Sequence, residues 1–255
     1  MTDLTDVPIR DASTVVLLRD SPDGLETWLI SRVVGMVFAA GMTVFPGGRV
    51  DDEDATLPII GASLADMATR FAAGEQSARA LVGAAVRETY EETGVLLTTP
   101  VADLSGARHD VEAGRVTFAS LLAQNGLSVN ADAVRPWSRW ITPPGEKRRY
   151  DTRFFVAGLP ADAQAQDVTT ESAHAAWVPI AAALDEARRG ERRMLPPTVA
   201  TLASLADFGT VADVLAASAG RPLDPIQPTI RVEGDQLVAE LADGTTFTLP
   251  KSMFT

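Results

Sequence analysis

The sequence predicts an α/β protein, because short apolar runs rich in β-branched residues alternate with longer segments that repeat apolar residues at helical spacing. The predicted strands cover residues 14–18, 26–32, 134–142 and 152–158, and the predicted helices cover residues 64–73, 76–93, 111–125, 181–189, 199–206 and 210–219. Residues 229–249 alternate apolar and polar side chains and predict β-hairpins. A chain of 255 residues therefore has room for one α/β domain and an appendage.

Composition and charge exclude several classes of function. The formal net charge of −12 argues against nucleic acid as a partner, because nucleic-acid binding depends largely on basic patches. The absence of cysteine excludes disulfides and thiolate catalysis, and two histidines are too few for a multi-histidine zinc site. No apolar run approaches the ~20 residues that span a bilayer, and the N-terminus lacks the pattern of a signal peptide. We therefore expect a cytoplasmic location and no membrane partner.

The first elements follow from turn and capping signals. Residues 1–11 are polar and predicted to be flexible. The turn at residues 21–24 joins the first two strands into a hairpin. Ser63, with Asp66 three residues later, predicts the start of a helix, and Gly74 predicts its end.

Other stretches predict secondary structure but contain no clear catalytic or binding residues. Leu96 and Leu97 predict the start of another strand, and residues 111–125 predict a single helix. Trp137 and Trp140 lie in the predicted strand at 134–142. The core is the favoured place for both rings, and stacking on an adenine ring is the alternative.

The chemistry concentrates at the end of the helix predicted for residues 76–93. Glu88, Glu91 and Glu92 stand at i, i+3 and i+4 and therefore share one helix face, and Arg87 can pair with Glu91. Gly94 is the expected C-terminal stop. Three glutamates alone are most simply a solvated acidic face. A hard divalent cation between them is the alternative, because Mg2+ prefers oxygen ligands and substrate phosphates.

The surroundings of these glutamates favour the cation. The run 87–95, Arg-Glu-Thr-Tyr-Glu-Glu-Thr-Gly-Val, resembles the second half of the Nudix box, the signature of Mg2+-dependent diphosphate hydrolases. Pro46, Gly47 and Gly48 match the opening of that box. Asp54 stands where the box has a glutamate, and 32 residues separate it from Arg87 where the family has seven. The interrupted box resembles the branch that includes the peroxisomal coenzyme A diphosphatases.

The resemblance implies a fold and a division of the chain. It implies an α/β/α sandwich, in which a mixed sheet lies between helices, with an inserted helix and a C-terminal extension. The expected parts are a flexible N-terminus at residues 1–11, a Nudix domain at residues 12–200 with an insertion at about residues 55–79, and an extension at residues 201–255. Family members often pair, so the resemblance leaves a homodimer open, and the sequence itself does not decide the oligomeric state.

The resemblance also implies roles for individual residues. Glu88, Glu91 and Glu92 are the expected ligands of Mg2+, with Mn2+ as the alternative ion. The expected catalytic residues are Arg87, Glu88, Glu91 and Glu171. Glu171 occupies a place where many relatives have a glutamate six residues before a tryptophan, although His174 replaces the second glutamate found there. Solvent exposure is the simpler interpretation of Glu171.

The expected substrate contacts come from glycines and arginines. Gly47 and Gly48 suit a backbone that approaches a ligand closely. Arg32 ends a strand that leads toward the substrate in relatives, although simple exposure is slightly favoured for it. Arg149 and Arg153 belong to a basic cluster with Lys147 and Arg148, which either faces solvent or grips phosphates.

The predicted reaction is hydrolysis of a phosphoanhydride that joins a nucleoside monophosphate to another group. The branch resemblance favours coenzyme A or acyl-coenzyme A, and ADP-ribose, NADH and nucleotide sugars remain alternatives. A non-catalytic Nudix module that only binds a nucleotide is a second class, and a scaffold with a solvated acidic helix is a third.

Overall fold

The computed structural model describes residues 7–33, 41–166 and 172–250 and has a mixed eight-stranded sheet between two layers of helices. The strands are β1 (Ile9–Ser21), β2 (Gly24–Arg32), β3 (Thr43–Val44), β4 (Gly47–Arg49), β5 (Ile59–Ile60), β6 (Thr98–Thr99), β7 (Ser128–Asn130), β8 (Arg135–Ile141), β9 (Arg149–Gly158), β10 (Ser172–Pro179), β11 (Pro225–Ile226), β12 (Thr229–Glu233), β13 (Gln236–Glu240) and β14 (Thr246–Pro250). The helices are α1 (Ser63–Arg70), α2 (Glu75–Thr93), α3 (Arg108–Glu112), α4 (Phe118–Gln124), α5 (Ile180–Arg188), α6 (Pro196–Leu205) and α7 (Val211–Ser218).

Strand β1 organises the main sheet. The strand order is β10-β2-β1-β9-β8-β11, with β3 added to β2 and the short glycine strand β4 added to β1. Strand β1 pairs in parallel with β9 and antiparallel with β2 and β4, so the sheet is mixed. This arrangement places the glycines of β4 beside the middle of the sheet.

Each face of the sheet has its own apolar core. On one face, α2 packs with α1 and α4, and its buried residues include Leu81, Val82, Val86 and Tyr90. The other face packs against α5, α6 and α7. The predicted α/β/α sandwich is therefore confirmed, and Trp137 and Trp140 are core residues, 0% and 4% exposed.

The structure corrects three local predictions near the start of the chain and after α2. Residues 9–11 are not flexible, because they pair with residues 149–151 of β9. Leu96 and Leu97 are buried but precede the strand, which covers only Thr98–Thr99. The single helix predicted at 111–125 is two helices, because Gly114 adopts φ +67° and Thr117 caps α4 with its side chain.

The inserted helix α1 is shorter than predicted and begins differently. Ser63 is its first residue rather than its cap, and its hydroxyl donates to the carbonyl oxygen of Ala131 at 3.0 Å. The carboxylate of Asp132 accepts the amides of Ala62 and Ser63 instead, so a distant residue supplies the cap. The helix ends at Arg70, whose guanidinium donates to the carbonyl oxygen of Ser218 at 2.8 Å.

The C-terminal extension is joined to the domain. Helix α7 packs on the second core, and β11 adds to the edge strand β8. Strands β12, β13 and β14 form the predicted hairpins as a separate antiparallel sheet. Within the described residues, no helix combines the length and apolarity that crossing a bilayer requires.

Candidate active site

Helix α2 carries the acidic residues on its last two turns. It ends at Thr93 and is followed by the predicted stop, Gly94, which adopts φ +76° and donates its amide to the carbonyl oxygen of Tyr90. Thr89 is buried on this helix, and its hydroxyl donates to the carbonyl oxygen of Ala85 at 2.7 Å. The helix therefore buries this polar residue without leaving its hydroxyl unpaired.

Arg87 is the centre of the site. Its Nη1 donates to Oε1 of Glu88 at 2.8 Å and lies 3.5 Å from Oε2 of Glu91. Its Nε and Nη2 donate to the two carboxylate oxygens of Asp54 at 2.8 and 2.9 Å. Its Nη2 also donates to the carbonyl oxygen of Arg49 at 3.0 Å. One guanidinium thus fixes three carboxylates and the end of β4 relative to one another.

The two glycines of β4 lie against the other glutamates. The amide of Gly47 donates to Oε2 of Glu92 at 2.9 Å. A Cβ atom added to Gly48 would lie 2.5 Å from the carboxyl carbon of Glu88, closer than real Cβ contacts. Only glycine leaves Glu88 its present position, so the glycine strand and the acidic face of α2 form one surface.

A third glycine, Gly83 of α2, allows the segment that contains Asp54 to pack closely against the helix. A Cβ atom on Gly83 would overlap the carbonyl oxygen of Asp54. Asp54 lies in the 3-10 helix Asp52–Thr56 and also accepts the amide of Asp51 at 2.8 Å. The close approach at Gly83 therefore places Asp54 where Arg87 reaches it, although 32 residues separate the two in sequence.

Burial makes this group of acids costly to ionise. Burial raises the pKa of Glu88 to about 7, against the opposing effect of Arg87, and it also raises the pKa of Glu91. Burial lowers the pKa of Arg87, but its bond to Asp54 and the nearby Glu88 outweigh this and hold it above its usual value. A further positive charge near the glutamates would relieve their repulsion.

The donor set suits a hard divalent cation, because it consists of carboxylate oxygens on one helix face. In this conformation Glu88 and Glu91 face Arg87, and Glu92 faces Gly47. Accordingly, the described part of the chain contains no group of three His, Cys, Asp or Glu side chains arranged to hold a metal. The metal ligands Glu88, Glu91 and Glu92 therefore stay a prediction.

A cleft of about 420 Å3 opens beside Arg87. Its walls combine acidic and apolar side chains from the 3-10 helix and from α4. They include Asp51, Asp54, Leu57 and Phe118. The site is therefore open on the side of Arg87.

Two other predicted site residues, Arg149 and Arg153, do not join this group. Arg153 is 5% exposed and pairs with Asp11 and Asp151, and Arg149 donates to the carbonyl oxygen of Thr142 at 3.1 Å. Both guanidiniums thus bind the protein itself, because alternate residues of β9 turn toward the layer of α2. Arg32 ends β2, opposite Ser172 of β10. Glu171 lies outside the described residues.

Two residues of the site have no role in the sequence prediction. Asp54 is the buried partner of Arg87. Its position in the Nudix box is the sequence feature that could have indicated a role in the site. Arg108 is 6% exposed and donates to the carbonyl oxygen of Glu91 at 2.6 Å, which satisfies an acceptor at the end of α2. No local pattern connects Arg108 to α2, because the contact depends on how the chain returns after Gly94.

Asp54→Asn is expected to destabilise the protein by about 3 kcal/mol, because it leaves the buried side of Arg87 without its charged partner. The Asp54 side chain is 2% exposed. Denaturant unfolding measures the change. Asp51→Asn is the control, because Asp51 is 48% exposed and lies 3.7 Å from Arg87, and it should cost less than about 1 kcal/mol. Equal losses in the two variants would contradict the role given to Asp54.

A family model and two named relatives match the sequence of the chain. A model of the NUDT19 Nudix domain matches residues 67–205, more than half of the chain. The chain is 26% identical over 270 residues to a Xenopus laevis protein named acyl-coenzyme A diphosphatase NUDT19, covering 88% of this chain and 70% of that protein. It is 31% identical over 181 residues to putative nudix hydrolase 7 of Caenorhabditis elegans, covering 69% of this chain and 54% of that protein.

A solved structure supports the same assignment. The crystal structure of a NUDIX hydrolase from Alicyclobacillus acidocaldarius has a TM-score of 0.68 and 28% sequence identity to the chain. The match covers 83% of this chain and 97% of that structure. Together with the matched domain and the reassembled box, this likeness identifies the chain as a member of the Nudix hydrolase family with the NUDT19 type of Nudix domain.

Proposed function

We propose that the protein is a Mg2+-dependent diphosphohydrolase that cleaves the phosphoanhydride of coenzyme A or acyl-coenzyme A. Water attacks one phosphorus atom, the bridging P–O bond breaks, and the two products are 3′,5′-adenosine bisphosphate and a phosphopantetheine. The observation that carries the proposal is the contact of Arg87 with Asp54, Glu88 and Glu91 beside the glycine strand.

In this proposal the three glutamates of α2 bind the cation, and Arg87 orients two of them. A bound Mg2+ supplies charge neutralisation of the diphosphate and a lowered pKa of its water. Gly47 and Gly48 keep the surface flat, so the diphosphate approaches Glu88 and Glu92 without obstruction by side chains. Positioning and electrostatic stabilisation then provide most of the rate enhancement.

The substrate class rests on the names of relatives. The Xenopus laevis relative is named an acyl-coenzyme A diphosphatase. The non-catalytic alternative has less support, because each carboxylate of the second half of the box is present. A scaffold with a solvated acidic face also has less support, because the acidic side chains contact Arg87 and β4.

A substrate panel tests the proposal. The wild-type protein is incubated with coenzyme A, an acyl-coenzyme A, ADP-ribose, NADH and a nucleotide sugar, with Mg2+ and with Mn2+, and the released monophosphates are measured. We expect coenzyme A or its acyl ester to have the highest kcat/KM. A higher value for ADP-ribose, NADH or the sugar nucleotide would overturn the substrate class. Mg2+ binding by calorimetry without any turnover would favour the binding module.

A further inference from the structure

Three exposed cationic side chains lie at one corner of the main sheet. Arg10, Lys147 and Arg148 are all exposed. None of these three side chains has a hydrogen bond or ion pair to any part of the chain that the structure describes. Glu146, which is also exposed, is the carboxylate next to them in sequence. In a protein with a net charge of −12, three such neighbouring cations form a local exception.

Strand register brings these residues together. Arg10 is the partner of Tyr150 in the parallel pair of β1 and β9, and Lys147 and Arg148 directly precede β9. Neighbouring strands lie about 4.8 Å apart, so Arg10 and the residues before β9 are at the same end of the sheet. We call Arg10, Lys147, Arg148 and Tyr150 the basic corner.

The side chains of the basic corner lie on the opposite face of the sheet from those of Arg149 and Arg153. Arg153 and its partner Ser13 point toward the layer of α2, where the Ser13 hydroxyl donates to the carbonyl oxygen of Leu81. Because successive side chains of a strand alternate, Arg10 and Tyr150 project from the opposite face. The cluster seen in sequence is therefore divided between two inward arginines and an exposed group.

Arg49 connects the basic corner to the candidate active site. It follows Gly48 in β4 and is the partner of Ala12, two residues from Arg10 on the same face of β1. The pKa of Arg49 is raised mainly by its bond to Asp51, and Tyr150 and Arg87 are both close enough to influence it. The side chain of Arg49 is 54% exposed. Arg49 therefore lies between the candidate active site and the basic corner.

We propose that the basic corner binds a phosphate monoester of the substrate, the 3′-phosphate that coenzyme A carries in addition to its diphosphate. This inference rests on the proposed function. A phosphate monoester has a charge of about −1.5 to −2 at neutral pH and three acceptor oxygens, which match arginine donors. ADP-ribose, NADH and nucleotide sugars lack this group, so the basic corner would select among the substrates of a diphosphohydrolase.

The test compares coenzyme A with 3′-dephospho-coenzyme A as substrates. We expect the wild-type protein to prefer coenzyme A in kcat/KM by about tenfold or more, through KM, as is typical of one or two charge-assisted hydrogen bonds. Arg10→Gln/Arg148→Gln should remove most of this preference by raising KM for coenzyme A. The control Arg188→Gln/Arg231→Gln changes the net charge equally at exposed residues elsewhere and should keep the preference.

Two outcomes overturn the inference while the proposed function stands. One is a wild-type protein that hydrolyses both substrates equally well. The other is an equal loss for both substrates in the Arg10→Gln/Arg148→Gln variant, which would indicate general electrostatic attraction. If the wild type hydrolyses neither substrate, the proposed function fails. Calorimetry with 3′,5′-adenosine bisphosphate and 5′-AMP then tests the corner directly, and equal affinities of the wild-type protein for both would overturn it.

Discussion

Glu92→Gln is expected to lower Mg2+-dependent turnover at least about 100-fold while the protein remains folded. The carboxylate of Glu92 accepts the amide of Gly47 at 2.9 Å, and a glutamine oxygen can accept the same hydrogen bond. The substitution therefore preserves the contact with the glycine strand but removes the negative charge that a cation requires. Steady-state turnover at several Mg2+ concentrations measures the loss, and thermal unfolding checks the fold.

The control for this prediction is an acidic residue that lies away from the site. Glu112→Gln removes a carboxylate that pairs with Arg108 at 3.1 Å and is 23% exposed. Its turnover should stay within about twofold of the wild type, because the contact of Arg108 with the Glu91 carbonyl remains available. Unchanged turnover in Glu92→Gln would remove Glu92 from the proposed metal ligands.

Gly48→Ala is expected to lower turnover about 100-fold with only a small loss of stability. The added methyl group would lie 2.5 Å from the carboxyl carbon of Glu88, so that carboxylate must move. A displacement of about 1 Å at a reacting group can cost a factor of about 100 in rate. The displaced group is the end of a flexible side chain, so we expect an unfolding free energy lower by about 1 to 2 kcal/mol.

Gly106→Ala is the matched control for Gly48→Ala. A Cβ atom at Gly106 meets nothing within 4 Å, and this glycine is not at positive φ. The same methyl group should therefore change neither turnover nor thermal stability. Full activity in Gly48→Ala would show that Glu88 does not need its present position.

Local patterns predicted the elements that carry the chemistry. The helix with Glu88 and Glu92 was predicted because apolar spacing and the stop at Gly94 depend only on neighbouring residues. The insertion helix was also predicted, but its cap was assigned to Ser63, because the true acceptor, Asp132, is distant in sequence. Capping from a remote carboxylate leaves no signal in the helix itself.

Site residues with a fixed place in the Nudix box could be predicted from the sequence. Contacts that form only in the folded protein could not be predicted. The glycines and glutamates have fixed places in the box, and Gly47 and Gly48 do contact Glu92 and Glu88. The charge of Arg153 is visible in sequence and is compatible with either a solvent-exposed or a phosphate-binding side chain. The carboxylate of Asp11 reaches Arg153 only because β1 and β9 pair, whereas Asp151 lies two residues earlier on the same face of β9.

The contact between Asp54 and Gly83 has a consequence for how such sequences vary. The inserted segment between Asp54 and Gly83 leaves the domain and returns to it at nearly the same point, because its two ends are in contact. Doubling the length of a flexible loop costs only about 0.6 kcal/mol, so additional structure can accumulate there over evolution without displacing the acids on either side. Searches that assume a fixed number of intervening residues would miss such descendants, whereas a spatial template of the glycines, the arginine and its acids would still find them.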